Sequence, residues 1–145
     1  LAQIDAARTL FREYAAALGF DLGFQDFDKE LEGLPGEYAP PSGRMYLVLV
    51  DGSLAGCAAL RAMEEGICEM KRMYVRPGFR GLGLGRKLAL TCIEEARAIG
   101  YRTMRLDTIA TMAEAIALYH SLGFVEIPPY RFNPVPGAVY MKLEV

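Results

Sequence analysis

Residues 70–85 read Met-Lys-Arg-Met-Tyr-Val-Arg-Pro-Gly-Phe-Arg-Gly-Leu-Gly-Leu-Gly. The first half has the composition of a strand, Pro77-Gly78 breaks it, and Arg80 with Gly81, Gly83 and Gly85 leads into a helical pattern. A strand must therefore feed a helix through a loop whose backbone is bare at alternate positions. The first amides of a helix have no intrahelical acceptor and lie at the positive end of its dipole. Without Cβ atoms in the way, such a junction suits a phosphate or a pyrophosphate. Residues 71–87 also hold Lys71, Arg72, Arg76, Arg80, Arg86 and Lys87, six of the 16 Lys and Arg, in a chain of net charge −2. A local positive field on an acidic protein points to a bound anion rather than to nucleic acid, with a solvated basic face as the alternative.

Two familiar phosphate loops fail on spacing. A dinucleotide fingerprint starting at Gly81 needs its third glycine at position 86, where Arg86 stands, and its strand would open a parallel unit. A P-loop starting there would need Gly, Lys and Ser or Thr where Arg86, Lys87 and Leu88 stand.

With 145 residues, 52% of them hydrophobic, the chain is expected to fold as one domain spanning residues 1–145 around one core. The most apolar run, residues 45–50, is too short to span a bilayer, and no leader pattern is visible behind the unusual first residue Leu1. A cytoplasmic, membrane-free protein is the expectation. Cys57, Cys68 and Cys92 have no CxxC spacing and read as small buried residues in a reducing compartment. A single histidine, His120, leaves no basis for a metal site or for a Ser-His-Asp hydrolase.

Ile4, Ala7, Leu10, Phe11, Tyr14 and Leu18 form one helical stripe ended by Gly19, and Phe24, Phe27, Leu31 and Leu34 mark a second, shorter helix. Strands are expected over 45–50 and 54–61, joined by Asp51-Gly52, and over 67–75 after a turn at Glu64-Glu65-Gly66. A helix over 84–99 capped by Gly100, a strand over 102–108, a helix over 112–122 and closing strands over 124–127 and 138–144 complete the order. A helical crossover makes the strands on either side of 84–99 parallel. The class is mixed α/β, with a mainly antiparallel sheet and helices on both faces.

Arg80-Gly81-Leu82-Gly83-Leu84-Gly85 resembles the R/Q-x-x-G-x-G/A motif of the GNAT superfamily of N-acetyltransferases, as does Met73-Tyr74-Val75-Arg76-Pro77 before it. Ala115-Ile116-Ala117-Leu118-Tyr119-His120-Ser121-Leu122-Gly123-Phe124 is similar to the family's A-x-x-L-Y-x-x-x-G-F segment, and the order of elements matches over nearly the whole chain. The resemblance implies a twisted sheet of six to seven strands with one splayed parallel pair, and about four helices.

It also implies a coenzyme A site and transfer of acetyl from acetyl-CoA, in a ternary complex, to a primary amine. The backbone of Met73, Tyr74 and Val75 would pair with the pantetheine arm. The loop from Arg80 through Gly81, Leu82, Gly83, Leu84 and Gly85 to Arg86 would hold the pyrophosphate. A backbone N–H near Val75 would stabilise charge on the thioester oxygen. Tyr119 would protonate the leaving thiolate. Glu69, on the same strand as Val75, is a candidate base for the amine, with an ion-paired strand glutamate as the alternative. His120, about 100° around the helix from Tyr119, is expected to be exposed. Where the family often has an asparagine, this chain has Met112, so no coenzyme contact is assigned there. A coenzyme A-binding module without transfer is the competing class.

The acceptor is less defined. Asp21, Asp26, Asp28, Glu30, Glu32 and Glu37 face only Lys29, an acidic rim that would attract a cationic amine or a plain solvated face. Tyr130, Arg131 and Asn133 are candidates to line the same cleft, and an arginine there would suit a carboxylate. A small molecule is favoured over a protein amine, with a monomer or homodimer as the assembly and no metal required.

Overall fold

A computed structural model describes residues 2–19 and 26–145. The expectations attached to Leu1, Asp21 and Phe24 lie outside the described residues.

In chain order the elements are α1 (Ala2–Leu18), α2 (Phe27–Glu32), β1 (Arg44–Val50), β2 (Ser53–Glu64), β3 (Ile67–Val75), α3 (Leu84–Ile99), β4 (Thr103–Ile109), α4 (Ala113–Ser121), β5 (Val125–Ile127) and β6 (Ala138–Glu144). Among the described residues the strands make one six-stranded sheet in the order β1-β2-β3-β4-β6-β5. Its one parallel pair is β3 with β4, as the crossover through α3 requires. The expected mixed α/β class and splayed parallel pair are both present.

Each element follows from local sequence. On α1, Ala7, Leu10 and Phe11 are buried, with Ile4, Tyr14 and Leu18 packed beside them. Asp51 and Gly52 both have positive φ, 49° and 80°, giving the tight turn that joins β1 to β2. β2 runs three residues beyond the expected end at Arg61, because Ala62 and Glu64 still pair with Cys68 and Ile67. Leu34 is buried but lies past α2, which closes at Gly33. α4 is one residue shorter at each end than expected, with Met112 taking a non-helical φ of −86° and ψ of 57° as its N-cap.

The sheet has a core on each face. On one, Leu60, Met70, Leu88, Cys92, Ile93, Met104, Leu106 and Phe124 join the sheet to α3 and α4. On the other, Leu10, Phe11, Phe27, Leu31, Tyr38 and Ala59 join it to α1 and α2. The three cysteines are buried and free, and burial pushes each thiol up to about 12.

One irregularity lies close to where the sheet opens. β3 pairs Lys71 with Ala59 but Tyr74 with Cys57, so β3 carries one extra residue against β2. Arg72 sits in this bulge with φ of 58°. Before it Met70 faces α3, and after it Met73 and Val75 do, while Tyr74 turns to the α1 side. Parallel pairing of β3 with β4 covers only Ile67, Cys68 and Glu69 opposite Thr103, Met104 and Arg105. β4 then continues beside β6 as far as Ile109 opposite Ala138. Past Glu69 and Arg105 the two strands part.

Candidate active site

The gap between β3 and β4 opens into a cleft of about 730 Å³ lined by Met73, Tyr74 and Val75, the loop residues Arg80, Gly81 and Gly83, and the first turns of α3 and α4. Gly81 and Gly83 take φ of 84° and 76°, conformations that a side chain rarely adopts, and a Cβ at either would meet nothing within 4 Å. Gly83 is the N-cap of α3 and supplies no side-chain cap, and Lys87 N–H donates to its carbonyl at 3.1 Å. The amides of Leu84, Gly85 and Arg86 precede that first bond and so lack intrahelical acceptors. Bare backbone, unpaired amides and a helix dipole thus converge on the cleft. That is a fit for a diphosphate, and the unpaired β3 edge beside it suits a ligand that carries amides.

The basic residues of the loop separate in three dimensions. Arg76 forms a two-pronged pair with Glu13 on α1, at 3.0 and 2.8 Å. Arg80 Nε donates to the Val75 carbonyl at 3.0 Å, tying the loop to the end of β3. Arg86 donates to Ser121 Oγ at 3.0 Å, joining α3 to α4. Lys71 and Arg72 lie buried on the α1 side of the sheet. The run of six cations is therefore not one phosphate cradle. β3 points its side chains to alternate faces, and glutamates far away in sequence meet two of them.

Across the gap lies a smaller hollow of about 50 Å³, whose walls include Lys71, Asp107, Thr108, Tyr119 and Asn133. It shares Tyr14, Leu18, Met73, Met112 and Ala115 with the larger cleft, so the two adjoin. Tyr119 is buried with its ring 5.6 Å from that of Phe124. Burial, with smaller effects of Tyr14 and Cys92, raises its pKa above the ordinary tyrosine value, so the hydroxyl keeps its proton at neutral pH. His120 is exposed, as its position on the helix predicts.

Glu69 is brought close to the site but does not line either hollow. It is fully buried, and its oxygens are engaged by Arg61 Nε at 3.0 Å, Arg61 Nη2 at 2.9 Å, the Tyr130 hydroxyl at 2.7 Å and Arg131 Nη2 at 2.7 Å. Burial alone would raise its pKa, but the charges of Lys71, Arg131 and Arg61 and the Arg131 hydrogen bond bring it below the ordinary carboxylate value. The ion-paired alternative left open by the sequence describes this geometry. Tyr130 and Arg131 serve to pin the proline-rich loop to β3 through Glu69. Asn133, by contrast, reaches the hollow and donates to Asp107 at 3.4 Å.

Sequence reasoning missed Arg61 and Asp107, and it read Lys71 only as part of the basic run beside the loop. The signal was present as charges at alternate positions, Glu69 and Lys71 around Met70, and as Asp107 within a strand pattern between Leu106 and Ile109. Among the described residues no group of three or more His, Cys, Asp or Glu is arranged to hold a metal ion, and no helix is long and apolar enough to cross a membrane.

Residues 5–124 match the acetyltransferase (GNAT) family model. An uncharacterized N-acetyltransferase of Schizosaccharomyces pombe is 42% identical over 144 residues, covering 98% of this chain and 88% of that protein. An acetyltransferase of the GNAT family from Staphylococcus aureus superposes with a TM-score of 0.78 at 21% identity, over 94% of this chain and 92% of that one. The protein yncA from Salmonella typhimurium, solved with its cofactor acetyl-CoA, superposes with a TM-score of 0.56 at 29% identity, over 69% of this chain and 63% of that one. A family match over most of the chain and a near-full-length relative agree with the split sheet and the glycine loop, and the chain belongs to the GNAT family of acetyl-CoA-dependent N-acetyltransferases.

Proposed function

We propose that residues 1–145 form a single cytoplasmic acyl-CoA N-acyltransferase domain that moves acetyl from acetyl-CoA to a primary amine of a small molecule, by direct attack in a ternary complex. The observation that carries this reading is the parting of β3 from β4 directly beside the amides at the start of α3. Bound there, acetyl-CoA supplies an activated acetyl group and a thiolate leaving group.

The chain's own residues have separable tasks. The loop from Arg80 to Arg86, with Gly81, Leu82, Gly83, Leu84 and Gly85 between, holds the diphosphate by backbone amides. Met73, Tyr74 and Val75 offer the unpaired edge of β3 to the amides of the arm, and a backbone N–H beside Val75 stabilises the thioester oxygen. Tyr119, buried and protonated, gives its proton to the thiolate. The smaller hollow, walled by α1, β3, β4 and Asn133, receives the amine.

The test is calorimetric titration with acetyl-CoA, followed by thiol release against a panel of amines. Binding in the micromolar range with turnover of at least one amine is the expected result. Failure to bind acetyl-CoA, or binding without turnover across a broad panel, would overturn the reading and leave a coenzyme A-binding module at most.

A further inference from the structure

We propose that Lys71, rather than Glu69, takes the proton from the acceptor amine. The inference rests on the transferase reading above and names a further catalytic residue within that site.

Geometry separates the two candidates. Both lie on the α1 side of β3, flanking Met70, whose side chain enters the opposite core. Glu69 sits where β3 and β4 are still paired, opposite Arg105, and four donor contacts from Arg61, Tyr130 and Arg131 occupy its two oxygens. Lys71 is two residues further on, past the last parallel pair, and lines the hollow together with Asp107 and Tyr119. An incoming amine therefore meets Lys71 and Tyr119 in one space, whereas Glu69 is screened from it.

Among the described residues, charged and titratable groups reach Lys71 from several elements. Arg61 approaches from β2, Glu69 and Arg72 from β3 and Asp107 from β4, while Arg131 of the proline-rich loop acts on Glu69 and Asp107. Glu30 of α2 pairs with Arg72, and Tyr14 of α1 and Tyr119 of α4 close the hollow. Burial and the Arg72 and Arg61 charges push the ammonium down, Glu69 and Asp107 hold it up, and the balance is a pKa lowered to about 7. An amine poised there accepts a proton at neutral pH, which a carboxylate held below its ordinary range does poorly.

The step balances. The acceptor nitrogen bonds to the acetyl carbon as the carbon–sulfur bond breaks. The nitrogen gives its proton to Lys71 Nζ, and the thiolate takes the Tyr119 proton. Lys71 then releases a proton to water and Tyr119 regains one.

The chain has four lysines, so ¹³Cε labelling gives a simple spectrum for the protein without ligand. One resonance should titrate near pH 7 and be missing from Lys71→Met and Lys71→Arg. With an active amine from the panel, the acidic limb of kcat/KM should follow that titration. Lys71→Arg, which keeps the charge but cannot accept a proton, should lose turnover by about 100-fold while binding acetyl-CoA like the parent. A lysine set titrating entirely near 10, or a Lys71→Arg profile matching the parent, would overturn the assignment while the transferase reading stands. Stable acetylation of Lys71 itself, seen as added mass, would also overturn it. Loss of acetyl-CoA binding in the parent would instead sink the reading beneath it.

Discussion

Arg72 and Glu30 form a two-pronged ion pair between the bulge of β3 and helix α2, with Arg72 Nε donating to Glu30 Oε2 and Nη2 to Oε1, each at 2.9 Å. The Arg72 side chain is 2% exposed and that of Glu30 15%. The guanidinium also lies 5.1 Å from the centre of the Phe27 ring and 5.9 Å from that of Tyr14. The residue with the unfavourable backbone angle is thus held from both α1 and α2. The bulge beside the opening between β3 and β4 is held by a contact 42 residues away in sequence.

Glu30→Gln should therefore be markedly destabilising. Burial would raise the Glu30 pKa, but the Arg72 hydrogen bonds and charge outweigh it and bring it below the ordinary value. Removing the charge takes the two-pronged carboxylate partner from a buried guanidinium, a loss of about 3 kcal/mol. Urea unfolding at neutral pH checks this. The parent should lose that contribution as pH falls through the lowered Glu30 pKa, so the gap between parent and variant should narrow in acid.

Gly83→Asp and Gly83→Ala separate strain from charge. With φ of 76° and open space within 4 Å of the position a methyl would take, alanine costs mainly the left-handed backbone strain, about 1 kcal/mol of stability. Aspartate adds a negative charge where the diphosphate is proposed to sit, and should weaken acetyl-CoA binding by more than about tenfold, well beyond the effect of alanine. Calorimetry on both variants provides the comparison. Equal affinities for the two would show that no phosphate lies near Gly83.

Local signals explain why so much of this fold was legible. Asp51-Gly52, Gly66, Gly83 and Gly100 set boundaries through backbone preference alone, and α3 and β6 begin and end at the expected residues. The glycine loop and Tyr119 were legible by resemblance. The bulge was not, because Arg72 has no intrinsic liking for positive φ and is held there by Glu30 and two rings distant in sequence. Nor could spacing show that Arg61 and Arg131, 70 positions apart, would close on Glu69 from opposite sides. Nor could it show that Glu69 would be enclosed by arginines while Lys71, two residues on, lines the hollow.

Tyr119→Phe should remove a proton donor while keeping the fold. The ring's packing against Phe124 survives the change, so stability should move by less than about 1 kcal/mol. Turnover should fall by about 100-fold with the Michaelis constant for acetyl-CoA nearly unchanged. Because burial raises the Tyr119 pKa, the parent should show no loss of rate from this residue between pH 7 and 9. A variant that changes only the Michaelis constant would assign Tyr119 to coenzyme binding.

Lys71 should leave a mark on stability that does not depend on any ligand. Its pKa is lowered from 10.5 to about 7, chiefly by burial and then by Arg72. Between those values the unfolded chain binds a proton at this position and the folded chain does not. Stability from this residue therefore rises with pH across the window, by about 1.4 kcal/mol per pH unit, and the penalty for holding a buried ammonium is complete below about pH 7. The buried thiols oppose the trend above about pH 9, since their raised pKa values mean the unfolded chain ionises first. The difference between parent and Lys71→Met cancels them. Urea midpoints at pH 7.5, 8.0 and 8.5 should show the parent gaining on the variant at each step. Parallel curves would mean that Lys71 keeps its proton in the folded chain throughout that range.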